Sequence, residues 1–248
     1  MKTKCDTPEI DIQIPKAYTD TINAPEGALW KEAIDYELTK LEMNTWTQTE
    51  AMDIPPDAQI LLGMWVHIIK NLELGGKKFR SRWVMQGDKQ KTNLSLSETF
   101  APVSHISSLC TLLALAMLNN LHIFAWNVNS TYLHGKISHD LYIAFPDGYG
   151  RPGKVMKLNK VLYGLPEAAQ VWHKDLEVKL KELGFTPLGS DTGILLHKTA
   201  IGIMAIDTHI DDSMGIHRGT KLVTVKEVWD TICIKHEGKA LTVNVNIR

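Results

Sequence analysis

Apolar and polar positions alternate between helical and extended periods along most of the chain. Helical spacing predicts helices over residues 26–44, 104–119, 167–183 and 221–235. Short apolar runs predict strands over 61–69, 78–85, 122–128, 141–145, 154–158, 194–197, 201–206, 213–216 and 241–247. Because helices and strands follow one another irregularly, the pattern favours an α+β fold over a doubly wound sheet.

Three details of this pattern make sharper predictions. Gly75-Gly76 separates the first two strands, which predicts a β-hairpin. Residues 1–25 lack periodicity, and we expect a loose leader there. The helix over 104–119 is predicted to bury one side, formed by Leu109, Leu112, Leu113, Leu115, Ala116 and Leu118.

Two adjacent carboxylates, Asp211 and Asp212, lie between the strands predicted at 201–206 and 213–216. Like charges side by side repel one another, and a divalent cation such as Mg²⁺ removes that repulsion by binding both. The pair therefore indicates half of a two-metal phosphoryl-transfer site. A plain turn is the alternative, which an Asp-Asp dipeptide alone favours, since aspartate is common in turns.

Composition narrows the class of protein without identifying it. The chain has 248 residues, 44% of them hydrophobic and 22% charged, which is typical of a soluble globular protein with a sizeable core. No apolar run is long enough to cross a membrane, and residues 1–15 lack a signal-peptide core. Cys5, Cys110 and Cys233 are far apart and odd in number, which fits a reducing compartment and neither a disulfide framework nor a zinc site.

Charge is unevenly distributed, although the net charge is only −1. Residues 1–57 contain five lysines against twelve carboxylates, whereas residues 70–91, the basic block, contain seven Lys and Arg against two carboxylates. Arg80 and Arg82 are two apart on a strand and share one face, where a triphosphate would relieve their repulsion. The basic block therefore indicates phosphate binding, and a solvent-facing basic hairpin is the open alternative.

Seven short blocks in a fixed order carry a family resemblance. They are Trp30…Ala33…Glu37…Leu41…Asn44-Thr45-Trp46; Trp65-Val66; Arg80-Ser81-Arg82-Trp83-Val84…Gly87; Glu98-Thr99-Phe100-Ala101-Pro102-Val103; Asn127-Val128-Asn129-Ser130-Thr131-Tyr132-Leu133-His134-Gly135; Leu162-Tyr163-Gly164-Leu165…Ala168…Trp172; and His209-Ile210-Asp211-Asp212. Over about residues 27–248 they resemble the reverse transcriptase of copia-type (Ty1/copia) LTR retrotransposons. Each block alone is weakly specific, whereas the ordered set is highly specific and favours the metal-site interpretation of the Asp pair.

The resemblance implies a right-hand polymerase fold of fingers and palm, with an antiparallel palm sheet backed by helices. It divides the chain into a leader (1–25), fingers (26–105 and 134–165) and palm (106–133 and a truncated 166–248), with thumb and RNase H absent. Asp211, Asp212 and a third Asp on a neighbouring strand would hold two Mg²⁺ ions for RNA-directed DNA polymerisation.

The resemblance also implies how a nucleotide would be held. Arg80 and Arg82 would lie near the incoming triphosphate. Tyr132 would stack under the sugar and exclude a 2′-hydroxyl. The segment 163–172, which includes Glu167, would position the template and the nucleotide.

This chain departs from the family pattern at the implied site. The third Asp is Asn127, whose amide oxygen can touch a metal ion but carries no charge. The usual Gln is Glu167, an anion near a triphosphate, and the aromatic residue before the Asp pair is His209. Asp207 and Thr208 interrupt a strand that the family keeps apolar. We therefore expect a degenerate or truncated copy that is inactive or severely impaired.

Two other outcomes stay open: a non-catalytic nucleic-acid-binding or scaffold remnant that uses the basic block, and an unstable pseudogene product. The implied partners are an RNA or DNA template–primer, dNTP and other proteins of the element, and no membrane. The implied location is cytoplasmic, within a virus-like particle, or nuclear.

Overall fold

A computed structural model describes residues 12–42, 45–72, 75–91, 94–128, 131–200, 202–210 and 212–218, without the side chains of Trp126 and Asn127. Asp211, the predicted helix at 221–235 and the predicted strand at 241–247 lie outside the described residues. The helices are α1 (Tyr18–Asn23), α2 (Gly27–Leu41), α3 (Leu96–Thr99), α4 (Ile106–Leu118) and α5 (Ala168–Glu182). The strands are β1 (Trp46–Glu50), β2 (Ile60–Leu61), β3 (Gly63–Asn71), β4 (Lys77–Met85), β5 (His122–Asn127), β6 (Tyr142–Ile143), β7 (Lys154–Leu158), β8 (Thr186–Leu188), β9 (Asp191–Lys198), β10 (Ile203–His209) and β11 (Asp212–Arg218).

The larger sheet has the strand order β5-β11-β10-β9-β8, and each neighbouring pair is antiparallel. Ile206 on β10 packs with Phe124 and with Trp172 of α5 in one core cluster. Ala205 packs with Leu112 of α4 in another cluster. Because successive strand residues point to opposite faces, α5 and α4 cover opposite faces of this sheet.

The rest of the described fold is a four-stranded sheet, of order β1-β7-β6-β2, together with the separate hairpin β3–β4. Trp65 and Trp83 from the hairpin, Ile34 from α2, and Ile143 and Leu158 from the sheet belong to one buried cluster. The predicted hairpin is confirmed, and Gly75 and Gly76 between its strands have φ of 85° and 97°. Mixed sheets and helices confirm the α+β class.

The expected loose leader is wrong for its last part. Residues 18–23 form α1, and Thr21 is 0% exposed. The Thr21 hydroxyl donates to Ala17 O at 2.8 Å and lies 3.1 Å from His67 Nε2. The other ring nitrogen, His67 Nδ1, lies 2.8 Å from Ser81 Oγ. A helix of 6 residues is too short to show periodicity, so only its contacts with the hairpin reveal it.

The predicted buried side of α4 is also wrong in part. Leu112 and Ala116 are buried, whereas Leu115 is 44% and Leu118 is 82% exposed. Apolar residues surround this helix on every side, so its periodicity does not indicate which side faces the sheet. Within the described ranges, no helix is long and apolar enough to span a membrane.

Candidate functional site

The turn between β10 and β11 is tight and strained. His209 and Asp212 are paired directly across it. Ile210 has a φ of +50°, which β-branched residues rarely adopt. The carbonyl oxygen of Ile210 accepts a hydrogen bond of 2.8 Å from Trp172 Nε1 on α5. The long helix therefore holds this turn in place.

β5 brings Asn127 beside Asp212. The strands β5 and β11 are antiparallel, and the Cα atoms of Asp212 and Asn127 are partners in register. Residues that are partners in register on antiparallel strands lie directly opposite each other in the sheet. The predicted adjacency to Asn127 is thus confirmed for Asp212, while Asp211 lies outside the described residues. Their roles as metal ligands stay predictions.

A cleft of about 500 Å³ opens between this face of the sheet and the N-terminal end of α4. Three titratable side chains of the described chain line it: Asp207, His209 and Asp212. Apolar or small residues form most of the remaining wall: Val103, Ser104, Ile106, Leu109, Ala125, Ser213 and Met214. The cleft therefore combines an apolar wall with carboxyl groups that originate from two adjacent strands.

Asp207 is the buried carboxyl group of this cleft. It is 4% exposed, and no described residue hydrogen-bonds to its Oδ1. Burial raises the pKa of Asp207 above its usual range, against smaller opposing effects of the Ser104 hydroxyl and His209. The strand predicted over residues 201–206 extends through Asp207 and Thr208, so these two polar residues interrupt its apolar pattern but not the strand itself. A buried carboxyl with one oxygen that lacks a hydrogen bond is destabilising when ionised.

Arg80 and Arg82 share the half-exposed face of β4, as predicted, because the alternate positions 81, 83 and 85 are buried. The guanidinium carbon of Arg82 lies 5.1 Å from the centre of the Tyr163 ring. Arg82 Nε is buried and has no hydrogen-bond acceptor within the described ranges. One strong donor on this face thus lacks a protein acceptor there.

Tyr163 connects the arginine face to Tyr132. The two tyrosine rings meet edge to face, with centroids 5.3 Å apart and planes at 78°. Tyr163 O accepts a hydrogen bond of 2.7 Å from Met85 N on β4. The next residue, Gly164, has φ of +91°, and a Cβ there would lie 2.1 Å from Met85 O. Only glycine allows this close approach, which brings Arg82, Tyr163 and Tyr132 together.

Glu167 is turned into the protein just before α5. It is 4% exposed, and Oε1 lies 3.5 Å from both His139 Nε2 and Gln90 Nε2. Its Oε2 has no hydrogen-bond partner in the part of the chain that the structure describes. Glu167 is not among the residues that line the cleft beside Asp212. The structure therefore does not bring it to Asp212, and its nucleotide contact stays a prediction.

The donor set at the turn fits a hard divalent cation only in part. Within the described residues, no group of three His, Cys, Asp or Glu side chains could hold a metal ion. Asp212 supplies an exposed carboxylate, and oxygen ligands suit Mg²⁺. Its opposed neighbour is an amide residue, Asn127, so this pair carries one negative charge instead of two.

Comparison with known proteins decides the family. The family model described as reverse transcriptase (RNA-dependent DNA polymerase) matches residues 27–243. The chain belongs to the reverse transcriptase family. It is 27% identical over 233 residues to the retrovirus-related Pol polyprotein from transposon RE2 of Arabidopsis thaliana, a match that covers 92% of this chain and 15% of that polyprotein. It is 26% identical over 226 residues to the transposon Ty1-DR5 Gag-Pol polyprotein of Saccharomyces cerevisiae, covering 89% of this chain and 13% of the relative.

These relatives confirm the copia-type resemblance of this reverse transcriptase domain. The chain spans less than a sixth of the length of either polyprotein, at 15% and 13%. A solved structure of telomerase from Candida albicans in complex with a fragment of telomeric RNA is similar at a TM-score of 0.44 and 11% identity. That alignment covers 90% of this chain and 46% of the telomerase chain, and the likeness is too weak to support a conclusion.

Two features of this cleft and turn were not predicted from the sequence. One is the cleft position of Asp207, whose only signal was a carboxylate inside an apolar run. The other is the bond from Trp172 to the strained turn at Ile210. Trp172 belongs to one of the resembling blocks, but its partner lies 38 residues further along the chain, so the contact has no local signal.

Proposed function

We propose that this chain is the fingers and palm of a copia-type reverse transcriptase whose metal-dependent nucleotidyl transfer is strongly reduced. In this proposal the five-stranded sheet is the palm, and the hairpin β3–β4 with the four-stranded sheet forms the fingers. The observation that carries the proposal is the register of Asp212 with Asn127 on β11 and β5. It supports a site with the strand arrangement of a polymerase and one carboxylate fewer.

Asp211, Asp212 and the amide oxygen of Asn127 would hold Mg²⁺ at this site. The bound ions supply charge neutralisation for the triphosphate and activation of the primer hydroxyl. The protein must provide the remaining negative charge from fixed carboxylates, and Asn127 provides none. The partial fit of the donor set to two divalent ions supports weak metal binding and slow transfer.

The arginine face would bind the triphosphate of a dNTP. Arg82 Nε is a buried donor without an acceptor among the described residues, and phosphate oxygens are acceptors that suit a guanidinium group. Arg80 lies on the same face of β4 and adds a second positive charge. The ring of Tyr163 orients Arg82 and contacts Tyr132. Tyr132 would form the wall of the site against the sugar of the dNTP. A template–primer of RNA and DNA would complete the complex.

Primer extension by three versions of the 248-residue chain tests the proposal: the chain as it stands, Asn127→Asp, and Asn127→Asp with Asp211→Asn. A missing bridging carboxylate should raise the barrier by about 3–5 kcal/mol, so Asn127→Asp should accelerate Mg²⁺-dependent extension by about a hundred- to several-thousand-fold. The double variant should lose that gain. Robust extension by the unchanged chain would contradict reduced activity, and no gain in a folded Asn127→Asp protein would contradict the assigned role of Asn127.

A second candidate function is nucleic-acid binding without catalysis. The lysines of the basic block that lie near the turn of the hairpin β3–β4 favour it. Lys70 and Lys78 are paired across β3 and β4 and are both exposed, with Lys77 exposed beside them. If these lysines contact phosphates, Lys70→Ser with Lys78→Ser should reduce the slope of log affinity against log salt by about 2. Gel shifts at several salt concentrations measure the slope. An unchanged slope would exclude this surface.

A further inference from the structure

Buried acceptor atoms meet at the N-terminal end of α5, apart from the residues that line the cleft beside Asp212. Glu167 is 4% exposed, and its Oε2 atom has no hydrogen-bond partner in the described part of the chain. Three further buried atoms lack a partner among the same residues: His139 Nε2, Gln90 Oε1 and Gln170 Oε1. Carboxylate and amide oxygens are acceptors only, and an imidazole nitrogen without a proton is an acceptor as well as a metal ligand. A cation therefore suits this set of atoms.

The distances around Glu167 match those between ligands of one metal ion. His139 Nε2 and Gln90 Nε2 each lie 3.5 Å from Glu167 Oε1, which is long for a hydrogen bond. Bonds of about 2.0–2.2 Å from Zn²⁺ at tetrahedral angles place two ligand atoms about 3.3–3.6 Å apart. A half-turn of the Gln90 amide brings its oxygen to the position of Nε2. The carboxylate, the imidazole and the amide can therefore share one ion with small rotations of their side chains.

Separate segments of the chain bring these ligands together. Gln90 directly follows the short helical turn after β4, His139 precedes β6, and Glu167 directly precedes α5. Gln170 comes three residues after Glu167, so the two are neighbours on the helix surface. Its Nε2 donates to Ser97 O at 3.0 Å, which fixes the orientation of the amide. The side chain of His139 is 34% exposed, so an ion can reach the buried carboxylate from solvent.

We propose that Glu167, His139 and Gln90 bind one divalent ion of the Zn²⁺ class, and that Gln170 and water complete its coordination. Zn²⁺ accepts imidazole nitrogen and carboxylate oxygen together, whereas Mg²⁺ prefers oxygen alone. The ion offsets the charge of a buried carboxylate, which the usual glutamine at this position would not carry. One histidine and one carboxylate are fewer strong ligands than a structural zinc site has, so the ion exchanges readily. The proposal uses none of the residues around Asp212 and does not depend on polymerase activity.

The reactivity of His139 tests the proposal in the 248-residue chain. Diethyl pyrocarbonate modifies an imidazole whose nitrogen is neither protonated nor bound to a metal, and peptide mass spectrometry follows His139 alone. Zn²⁺ added with excess Mg²⁺ should slow this modification about tenfold or more, whereas Mg²⁺ alone should not, because it prefers oxygen ligands. Glu167→Gln keeps the shape of the side chain but removes its charge. It should raise the Zn²⁺ concentration needed for protection by about a hundredfold.

The matched control is Asp140→Asn, which removes the same charge from the residue next to His139. The side chain of Asp140 is 64% exposed and pairs with Lys157 at 2.7 Å. Protection of His139 by Zn²⁺ should therefore be unchanged in this variant. Protection that is absent from the parent, or equal in the parent and in Glu167→Gln, would overturn the proposal.

Urea unfolding tests the site through a second variant. His139→Gln alters a side chain that is 34% exposed, so the protein should fold. In chains whose three cysteines are replaced by serine, each tenfold rise in free Zn²⁺ above its dissociation constant should lower the unfolding constant of the parent about tenfold. His139→Gln and Glu167→Gln should lose this dependence. A parent whose stability does not respond to Zn²⁺ would show that the buried acceptors hold only water, and would overturn the proposal.

Discussion

The hairpins β3–β4 and β10–β11 each bury a titratable side chain, and the two side chains differ in how completely they are hydrogen-bonded. In β3–β4, His67 has a partner on each ring nitrogen. In β10–β11, Asp207 has an oxygen without a partner in the described part of the chain. The first hairpin turns at glycines, whereas the second turns at Ile210 with a φ of +50°. Strain and unmet hydrogen bonding are thus found beside the predicted metal site, where such features are commonly retained for function.

The His67 network shows how the first hairpin accommodates its buried histidine. The single hydroxyl proton of Thr21 is donated to Ala17 O, so His67 Nε2 must donate to Thr21. His67 Nδ1 then accepts from the Ser81 hydroxyl. The ring is held neutral, and burial lowers the pKa of His67 below its usual range. Four predictions sharpen the comparison between the hairpins.

The largest expected effect is a difference in stability loss between substitutions of two buried tryptophans, one packed near each hairpin. Trp172 is 1% exposed and donates to Ile210 O, whereas Trp30 is 0% exposed and its Nε1 has no acceptor among the described residues. Trp172→Phe should lower the free energy of unfolding by about 2–4 kcal/mol, because it loses both volume and a hydrogen bond. Trp30→Phe removes an unsatisfied donor and should be milder by about 1 kcal/mol or more. Urea denaturation measures both, and equal losses would show that the bond to the turn contributes nothing.

The second prediction concerns a substitution that should raise the free energy of unfolding instead of lowering it. Asp207→Val removes a buried carboxyl whose Oδ1 has no partner among the described residues, and it should raise the free energy of unfolding by about 1–3 kcal/mol at neutral pH. Asp191→Val is the matched control, because Asp191 is 7% exposed but accepts from His105 N at 2.9 Å and Gly193 N at 3.1 Å. It should destabilise the protein in the same urea titration.

The gain from Asp207→Val should also depend on pH. Burial raises the pKa of Asp207, so the folded state binds this proton more tightly than the unfolded state. The stability that results is complete below the unfolded pKa of about 3.9 and is lost as pH rises through the folded pKa. The variant should therefore gain most at neutral pH and least in acid. A gain that stays constant across this range would contradict a raised pKa.

The third effect concerns the strained turn. Ile210→Asn should raise the free energy of unfolding by about 1 kcal/mol, because asparagine adopts positive φ more readily than a β-branched residue. The matched control is Asn120→Ile, since Asn120 has the same φ of 50°. It should lower stability by a similar amount. Thermal unfolding compares them, and a destabilised Ile210→Asn would show that the isoleucine side chain stabilises the turn by more than its backbone strain.

The smallest effect is the acid sensitivity of the first hairpin. Because burial lowers the pKa of His67, the stability from its neutral form is present above the unfolded pKa. It is lost as pH falls below about 6.5. His67→Gln should therefore show a shallower decline of stability in that range than the unchanged chain. His217 on β11 is also buried, and its pKa is also lowered. His217→Gln therefore measures how much of the decline of stability with falling pH comes from that second histidine. Identical slopes for His67→Gln and the parent would contradict the assignment.

Much of the site's framework could be predicted from the sequence. The glycine pair and the flanking apolar runs predicted β3 and β4, and helical spacing predicted α2 and α5. The order of the resembling blocks predicted that Asn127 would neighbour the Asp pair, which the register of β5 with β11 confirms for Asp212. Local periodicity and motif order were sufficient there, because each element carries its own apolar stripe or turn residues.

The tertiary structure alone decided which polar groups are satisfied and which apolar ones are covered. Periodicity could not choose the buried side of α4, because that helix is apolar all round. Glu167 pairs with His139 and Gln90, which are distant in sequence, so its burial has no local signal. The same holds for Thr21 with His67 and for Trp172 with Ile210. A sequence shows which groups need partners, whereas the partners themselves come from chain segments that meet only when the sheets assemble.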